Sequence, residues 1–356
     1  MIFSASSVLA SSKALDSHFF FSRQLAHAFL GFGVMFALAR VPLEWWARAA
    51  RPLFAVGVVL LVLVLAFGEG RGVVNRWLVL PLPAGWGTVA FQPSEFVKVV
   101  LVLYLADVMV RQEGRMDDFG NGFLPRALCV GGVVGLIMLQ PDLGTGIAVS
   151  LSALVMLFVG GARLRHLAAV AAAAVPVVCL SLYASPYQLQ RLKGFWQDSD
   201  PQGAGYQVYQ ALLALGSGGY LGVGVGNSMQ KQHYLPEPHT DFVFAFIGEE
   251  LGLAGTLSVA GLFMAFAVNG WRIAREAPTY HGFLVAVGVT AMVSVYALLN
   301  IGVATGLLPT TGLPLPFISY GGSSLLWNLC GVGILVGVAR EAGQAGRSAW
   351  QAGRAA

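Results

Sequence analysis

The residues best placed to do chemistry open two separate apolar stretches. Asp241 follows Tyr234, Leu235, Pro236, Glu237, Pro238, His239 and Thr240 and leads straight into Phe242 and a long apolar run. The spacing predicts that it falls in the first turn of a helix, where the dipole favours an ionised carboxylate. Such a group at a membrane surface can accept a proton, hold a divalent cation such as Mg or Mn, or orient a sugar hydroxyl. Capping of the helix by Thr240 and Asp241 is the plainer reading of the same residues. In the stretch Gln92 to Lys98, Glu95 and Lys98 stand three apart just after Pro93 and Ser94, on one helical face, so they can pair. An ionisable pair inside an apolar span marks function by default, yet such pairs also serve only to lock packing.

Weaker candidates surround these. Glu249 and Glu250 lie eight and nine residues beyond Asp241 on the same expected helix. At about 100° per residue and about 1.5 Å of rise, Glu249 lies about 80° round and about 12 Å along from it and Glu250 on roughly the opposite side, which suits packing or partner contacts better than a shared substrate atom. Arg191 and Lys193 could clamp a diphosphate or stay solvated. The glycines from Gly216 to Gly226 do not follow the dinucleotide fingerprint, and no strand pattern precedes them, so a close-packed re-entrant or surface loop is the better reading. His233 and His239 lack zinc spacing, and His239 reads as a loop contact.

The elements that position these residues are membrane helices. Of 356 residues 56% are hydrophobic and only 11% charged, against about 25% charged in soluble domains. The 45 glycines and 16 prolines are the helix interrupters that membrane helices tolerate. Apolar stretches near 21–39, 52–68, 94–110, 122–140, 143–161, 165–184, 241–268, 282–307 and 321–339 predict nine complete spans. Residues 1–10 are too short to span and lack the plan of a signal peptide; they read as the tail of a truncated first helix that an upstream apolar segment would complete. Alternate loops carry thirteen basic residues against six, which puts the carboxyl terminus in the cytoplasm and the 69–93 and 185–240 segments outside. The expected organisation is all-α and polytopic: one transmembrane domain over 1–340, a large outer loop at 185–240, and a cytoplasmic tail at 341–356. The net charge of +4 is dispersed, which argues against nucleic acid. Cys129, Cys179 and Cys330 sit in apolar stretches as small hydrophobes.

Several stretches together resemble the FtsW/RodA family of bacterial cell-wall glycosyltransferases. They are SASS at 4–7, NRW at 75–77, FQPSEFVK at 91–98, QPDLGT at 140–145 and GYQVYQALLALGSGG at 205–219. The long run at 222–252, which includes HTDF and IGEELG, and LLPTTGLPLPFISYGGSS at 307–324 complete the match. The resemblance implies ten transmembrane helices in the bacterial cytoplasmic membrane, with the large outer loop between helices seven and eight. It also implies polymerisation of lipid II, an undecaprenyl diphosphate-linked disaccharide pentapeptide, without an organic cofactor. On that pattern Asp241 is the catalytic aspartate, Glu95 and Lys98 are its supporting pair, and Gln207, Gln210 and His239 stand beside the substrate. Positive charge for the leaving diphosphate would come from a divalent cation or from Arg76, Arg191, Lys193 or Lys98. The long run at 222–252 looks more like the division branch than the elongation branch, with a class B penicillin-binding transpeptidase, other division proteins and membrane lipid as partners. A lipid II flippase and a non-catalytic division scaffold are the rival readings.

Overall fold

A computed structural model describes residues 19–70, 75–81, 88–112, 115–196, 205–228 and 241–355. The SASS stretch, His233, His239 and Thr240 lie outside them. Among the described residues there are eleven α-helices: α1 Phe19–Leu38, α2 Leu43–Phe67, α3 Pro93–Val110, α4 Leu124–Met138, α5 Leu143–Val159, α6 Leu164–Ala184, α7 Pro186–Trp196, α8 Tyr206–Ser217, α9 Val243–Glu276, α10 Tyr280–Ala304 and α11 Gly322–Ala355. A helix therefore occupies each of the nine predicted spans. Six helical stretches are long and apolar enough to cross a membrane: Leu43–Phe67, Phe119–Met138, Leu164–Tyr183, Val243–Glu276, Tyr280–Ala304 and Gly322–Ala345. Large apolar side chains such as Phe29, Leu30 and Phe36 on α1, Leu180 on α6 and Leu262 on α9 are exposed, as lipid-facing residues must be.

Two local departures from the sequence reading have physical causes. The 69–93 segment contains a small antiparallel sheet, ordered β1 (Glu69–Gly70), β2 (Asn75–Pro81) and β3 (Thr88–Phe91), in an otherwise helical chain. Its strand sequences, NRWLVLP and TVAF, are rich in the β-branched and aromatic residues that suit a pleated surface. The 185–240 segment is likewise more than a loop, because α7 and α8 lie within it. Helix α11 continues through residues 341–355 without a break.

The chain forms two compact units. One comprises Met1–Leu30, Val178–Ala265 and Val293–Leu326; the other comprises Gly31–Val177, Phe266–Met292 and Trp327–Ala356. In the second, α3 is buried on nearly every side, from Ser94 to Met109, and packs against α2, α4 and α5. A helix in that position can carry charge only if the charge is paired inside. Asp107 meets Arg51 at 3.0 Å and Arg111 at 2.9 Å, and Glu95 meets Lys98.

In the first unit, α9 is interrupted at Gly252, whose φ of 66° and ψ of −161° are not helical. The residues around the break would normally bond Leu253 N to the Glu249 carbonyl and Ala254 N to the Glu250 carbonyl. A strap over 218–228 takes over both halves of each missing bond. Val223 N and Gly224 N donate to the carbonyls of Glu249 (3.0 Å) and Glu250 (3.1 Å), while Leu253 N and Ala254 N donate to the carbonyls of Gly219 (2.9 Å) and Tyr220 (3.2 Å). These four backbone groups thereby keep partners within the protein, as hydrocarbon surroundings require. The approach is so close that a Cβ on Gly222 would strike the Glu250 carbonyl, and one on Gly252 would strike Gly222 N. The glycine cluster is thus a close-packed loop, as its spacing suggested. Gly252→Ala should cost roughly 1–3 kcal/mol from its left-handed φ alone, with the clash added, and lower the thermal midpoint in detergent; an unchanged midpoint would contradict the packing described.

Candidate functional site

In the first unit the backbone at Asp241 is held before its side chain is considered. Asp241 and Phe242 form a turn, and the helical ladder starts from the Phe242 carbonyl, which accepts from Phe246 N at 3.2 Å. The carboxylate therefore precedes the helix instead of lying in its first turn. The cause is Phe242, 3% exposed, which the chain must turn inward to bury beside Val243, Phe244, Ala211, Ala214, Ala297 and Leu315. Asn300, 1% exposed on α10, then donates its amide to the Asp241 carbonyl (2.9 Å) and to the Leu313 carbonyl (2.7 Å). One side chain thereby ties the start of α9 to the segment between α10 and α11.

That tie brings Gly312 to Asp241. A methyl group built on Gly312 would lie 3.5 Å from Asp241 Oδ2 and 3.1 Å from Arg191 Nη1. Carboxylate and guanidinium thus converge on one point, and the residue at that point has no side chain. Gly312 has φ 75°, a conformation glycine adopts without penalty. Just ahead of it, the Thr310 and Thr311 hydroxyls are shielded and make no hydrogen bond among the described residues.

The other sequence candidates of this unit fall on α7 and α8. Arg191 is half-buried; Lys193 is exposed in the last turn of α7, where a cation complements the helix dipole. Gln210 is buried on the face of α8 that carries Ala211 and Ala214, and Gln207 is half-buried one turn earlier. Glu249 and Glu250 are buried against the strap: Ser228 Oγ donates to Glu249 Oε2 in a short bond, and Gly226 N donates to Glu250 Oε1 at 2.9 Å. Among the described residues no three His, Cys, Asp or Glu side chains converge, and the charged group facing Asp241 across Gly312 is the Arg191 guanidinium.

The second unit holds the remaining candidates. Glu95 Oε2 and Lys98 Nζ are 2.5 Å apart with side chains 2% and 1% exposed. Proline at the start of α3 suits the first turn, where its missing N–H is no loss, and the three-residue spacing then aligns the pair. Lys98 also lines a small cavity with Leu101, Leu105, Val149, Met156 and Met292. Arg76 on β2 is occupied by the QPDLGT turn: Nε donates to the Gln140 carbonyl at 3.2 Å, Nη2 makes a short bond to the Pro141 carbonyl, and Nη1 lies 3.4 Å from Asp142 Oδ1. Asp142 in turn caps α5 by accepting from Thr145 N.

Sequence reasoning did not single out Gly312, Asn300 or Asp142. A signal existed for the first, because 307–324 is a Gly- and Pro-rich interruption between two apolar helices, a pattern that lines sites in membrane proteins. The buried pair supports a prediction of its own. Lys98→Met or Glu95→Gln alone should destabilise by about 3–5 kcal/mol, whereas the double variant recovers most of the loss. Equal thermal midpoints in wild type and single variants would mean that the pair carries no packing role.

Comparison with known proteins follows the same outline. The FtsW/RodA/SpoVE family model, described as a cell cycle protein, matches residues 1–344. The chain is 38% identical over 344 residues to a probable peptidoglycan glycosyltransferase FtsW of Geobacter sp. (strain M18), covering 95% of this chain and 91% of the relative. It is 40% identical over 345 residues to stage V sporulation protein E of Bacillus subtilis (strain 168), covering 96% and 92%. A solved chain from work on coordination of polymerization and crosslinking by a peptidoglycan synthase complex superposes with a TM-score of 0.76 at 30% identity, covering 91% of this chain and 90% of that one. The rod shape determining protein RodA of Thermus thermophilus superposes with a TM-score of 0.66 at 30% identity, covering 96% and 93%. A family match spanning nearly the whole chain, on a polytopic helical fold, places it among multi-pass membrane proteins: the chain belongs to the FtsW/RodA/SpoVE family.

Proposed function

We propose that this chain is a peptidoglycan glycosyltransferase that polymerises lipid II at the outer face of the cytoplasmic membrane, in the division branch of its family. The observation that carries the reading is the convergence of Asp241 and Arg191 on Gly312, in a chain whose relatives bear the name peptidoglycan glycosyltransferase. The excess of basic residues in alternate loops supports a cytoplasmic carboxyl terminus and a site on the outer face.

In the reaction, a sugar hydroxyl of one lipid-linked glycan attacks the anomeric carbon of another. A carbon–oxygen bond forms there as the bond to undecaprenyl diphosphate breaks. Asp241 accepts the hydroxyl proton or orients that hydroxyl for attack. Arg191 supplies positive charge to the departing diphosphate, a charge-assisted contact that a planar guanidinium makes in two-pronged form. Lys193, exposed at the end of α7, adds to the local field that draws in an anionic headgroup. The missing side chain at Gly312 leaves room for the reacting atoms between the two charges. The charge assignment to Arg191 makes a metal unnecessary as the first explanation, though chelation of purified protein would still measure its contribution. A class B penicillin-binding transpeptidase is the expected partner, supported by the likeness to a chain of a synthase complex that couples polymerization to crosslinking.

Purified protein with labelled lipid II should make glycan polymer. Asp241→Asn keeps the shape and removes the charge, and should reduce polymer formation by at least about a hundredfold, the lower end of what a positioned acid–base group contributes, at an unchanged thermal midpoint. Substantial polymer from the folded variant would remove Asp241 from the chemistry; lipid II movement across liposomes without polymer would favour a flippase. Gly312→Ala places a methyl between carboxylate and guanidinium and should lower turnover by about tenfold or more, since misplacement of about 1 Å can cost a hundredfold. Wild-type turnover in that variant would show that the space at Gly312 is not used.

A further inference from the structure

The geometry points to Glu249 and Glu250 as positioning residues that fix the Asp241-bearing half of α9 through the 218–228 strap. The inference rests on the reading of Asp241 as the reacting carboxylate. Four observations within one unit carry it.

First, the break at Gly252 separates the residues that follow Asp241 from the remainder of α9, so the ordinary helical ladder does not fix their direction. Second, the four bonds between the strap and the broken ladder join residues 219–224 to both sides of the break. A separate half-helix needs such a splint, because backbone groups freed in a membrane helix must find partners within the protein. Third, Glu249 and Glu250 directly precede Leu251, the last residue before the break, and are 2% and 0% exposed. Their carboxylates accept from Ser228 Oγ and Gly226 N at the far end of the strap. Main chain and side chain of the same two residues thus grip the strap at 223–224 and again at 226–228. Fourth, glycines set the course of the strap. A Cβ on Gly218 would enter the Gly248 carbonyl, and Gly222, Gly224 and Gly226 have φ of 81°, 96° and 90°. These conformations cost other residues strain, so the path of the strap is tightly specified.

The consequence concerns direction. The Asp241 end of the half-helix is fixed by Asn300 and by the burial of Phe242; its other end is fixed by the strap. Loosening the strap end lets the half-helix pivot, and the carboxylate then loses its register with Arg191 across Gly312. An error of this kind reduces turnover more than it reduces substrate affinity, because alignment of reacting atoms is what is lost.

The test compares Glu250→Ala, Glu250→Gln and Ser228→Ala with wild type in detergent, reading lipid II polymerisation and local amide hydrogen exchange. Glutamine can still accept from Gly226 N, so Glu250→Gln should stay within about threefold of wild type. Glu250→Ala should lower kcat by roughly a hundredfold with KM within about twofold, and should speed exchange over 243–251 while α3 exchanges as before. Ser228→Ala, the mildest change, should move the same two readouts in the same direction by a smaller factor, and it serves if Glu250→Ala fails to fold. Faster exchange over 243–251 with wild-type kcat would overturn the inference, as would a lost kcat with KM raised in proportion. Failure of the wild type to polymerise lipid II is a different outcome: it removes the proposed function, and the inference then stands or falls on whether exchange over 243–251 rises in the alanine variant.

Discussion

The amide of Asn300 is the contact on which the arrangement of the first unit depends. It is buried, it donates to two carbonyls, and those carbonyls belong to segments 72 residues apart in sequence, Asp241 and Leu313. It joins the turn before α9 to the segment after α10 by two directed bonds, where apolar contacts would fix direction poorly. With it, Gly312 is held where Asp241 and Arg191 meet. A backbone carbonyl is a good handle for such a purpose, because it is rigidly related to the Cα of its residue.

The same constraint recurs wherever this chain departs from continuous helix. A polar group in a membrane interior must be satisfied by the protein itself. At Gly252 the strap supplies backbone donors and acceptors in matching number. At the QPDLGT turn, Arg76 reaches from β2 to two carbonyls and to the carboxylate that caps α5. On α3, Glu95 and Lys98 neutralise each other in a fully buried stretch. Charge is therefore turned inward on architecture at several positions, whereas Asp241 and Arg191 both approach a residue that has no side chain, Gly312.

Much of this was legible from residues alone, for identifiable reasons. The nine apolar stretches became helices because length and hydropathy suffice to define a membrane helix. The i,i+3 relation of Glu95 and Lys98 survived because helical geometry is local. Gly218 and Gly222 lie in a close-packed loop, in keeping with a glycine spacing that departs from the dinucleotide fingerprint, whereas Gly216 falls in the last turn of α8. The convergence of Asp241, Arg191 and Gly312 was not legible, since it depends on Asn300 and on segments far apart in sequence. The two-residue displacement of Asp241 from the helix start was also hidden: it follows from the burial of Phe242, a tertiary effect that helix-start signals do not contain. The strands of the 69–93 segment and the helices α7 and α8 were missed because a search for apolar spans passes over short amphipathic elements.

The central claim is that the point between Asp241 and Arg191 is where glycan chemistry occurs. An experimental structure of this chain bound to a non-reactive lipid II analogue addresses it directly. The account predicts an acceptor hydroxyl or anomeric carbon beside the Asp241 carboxylate, a diphosphate oxygen on the Arg191 guanidinium, and both packed against the bare Cα of Gly312. A headgroup bound with no contact to either side chain would contradict it.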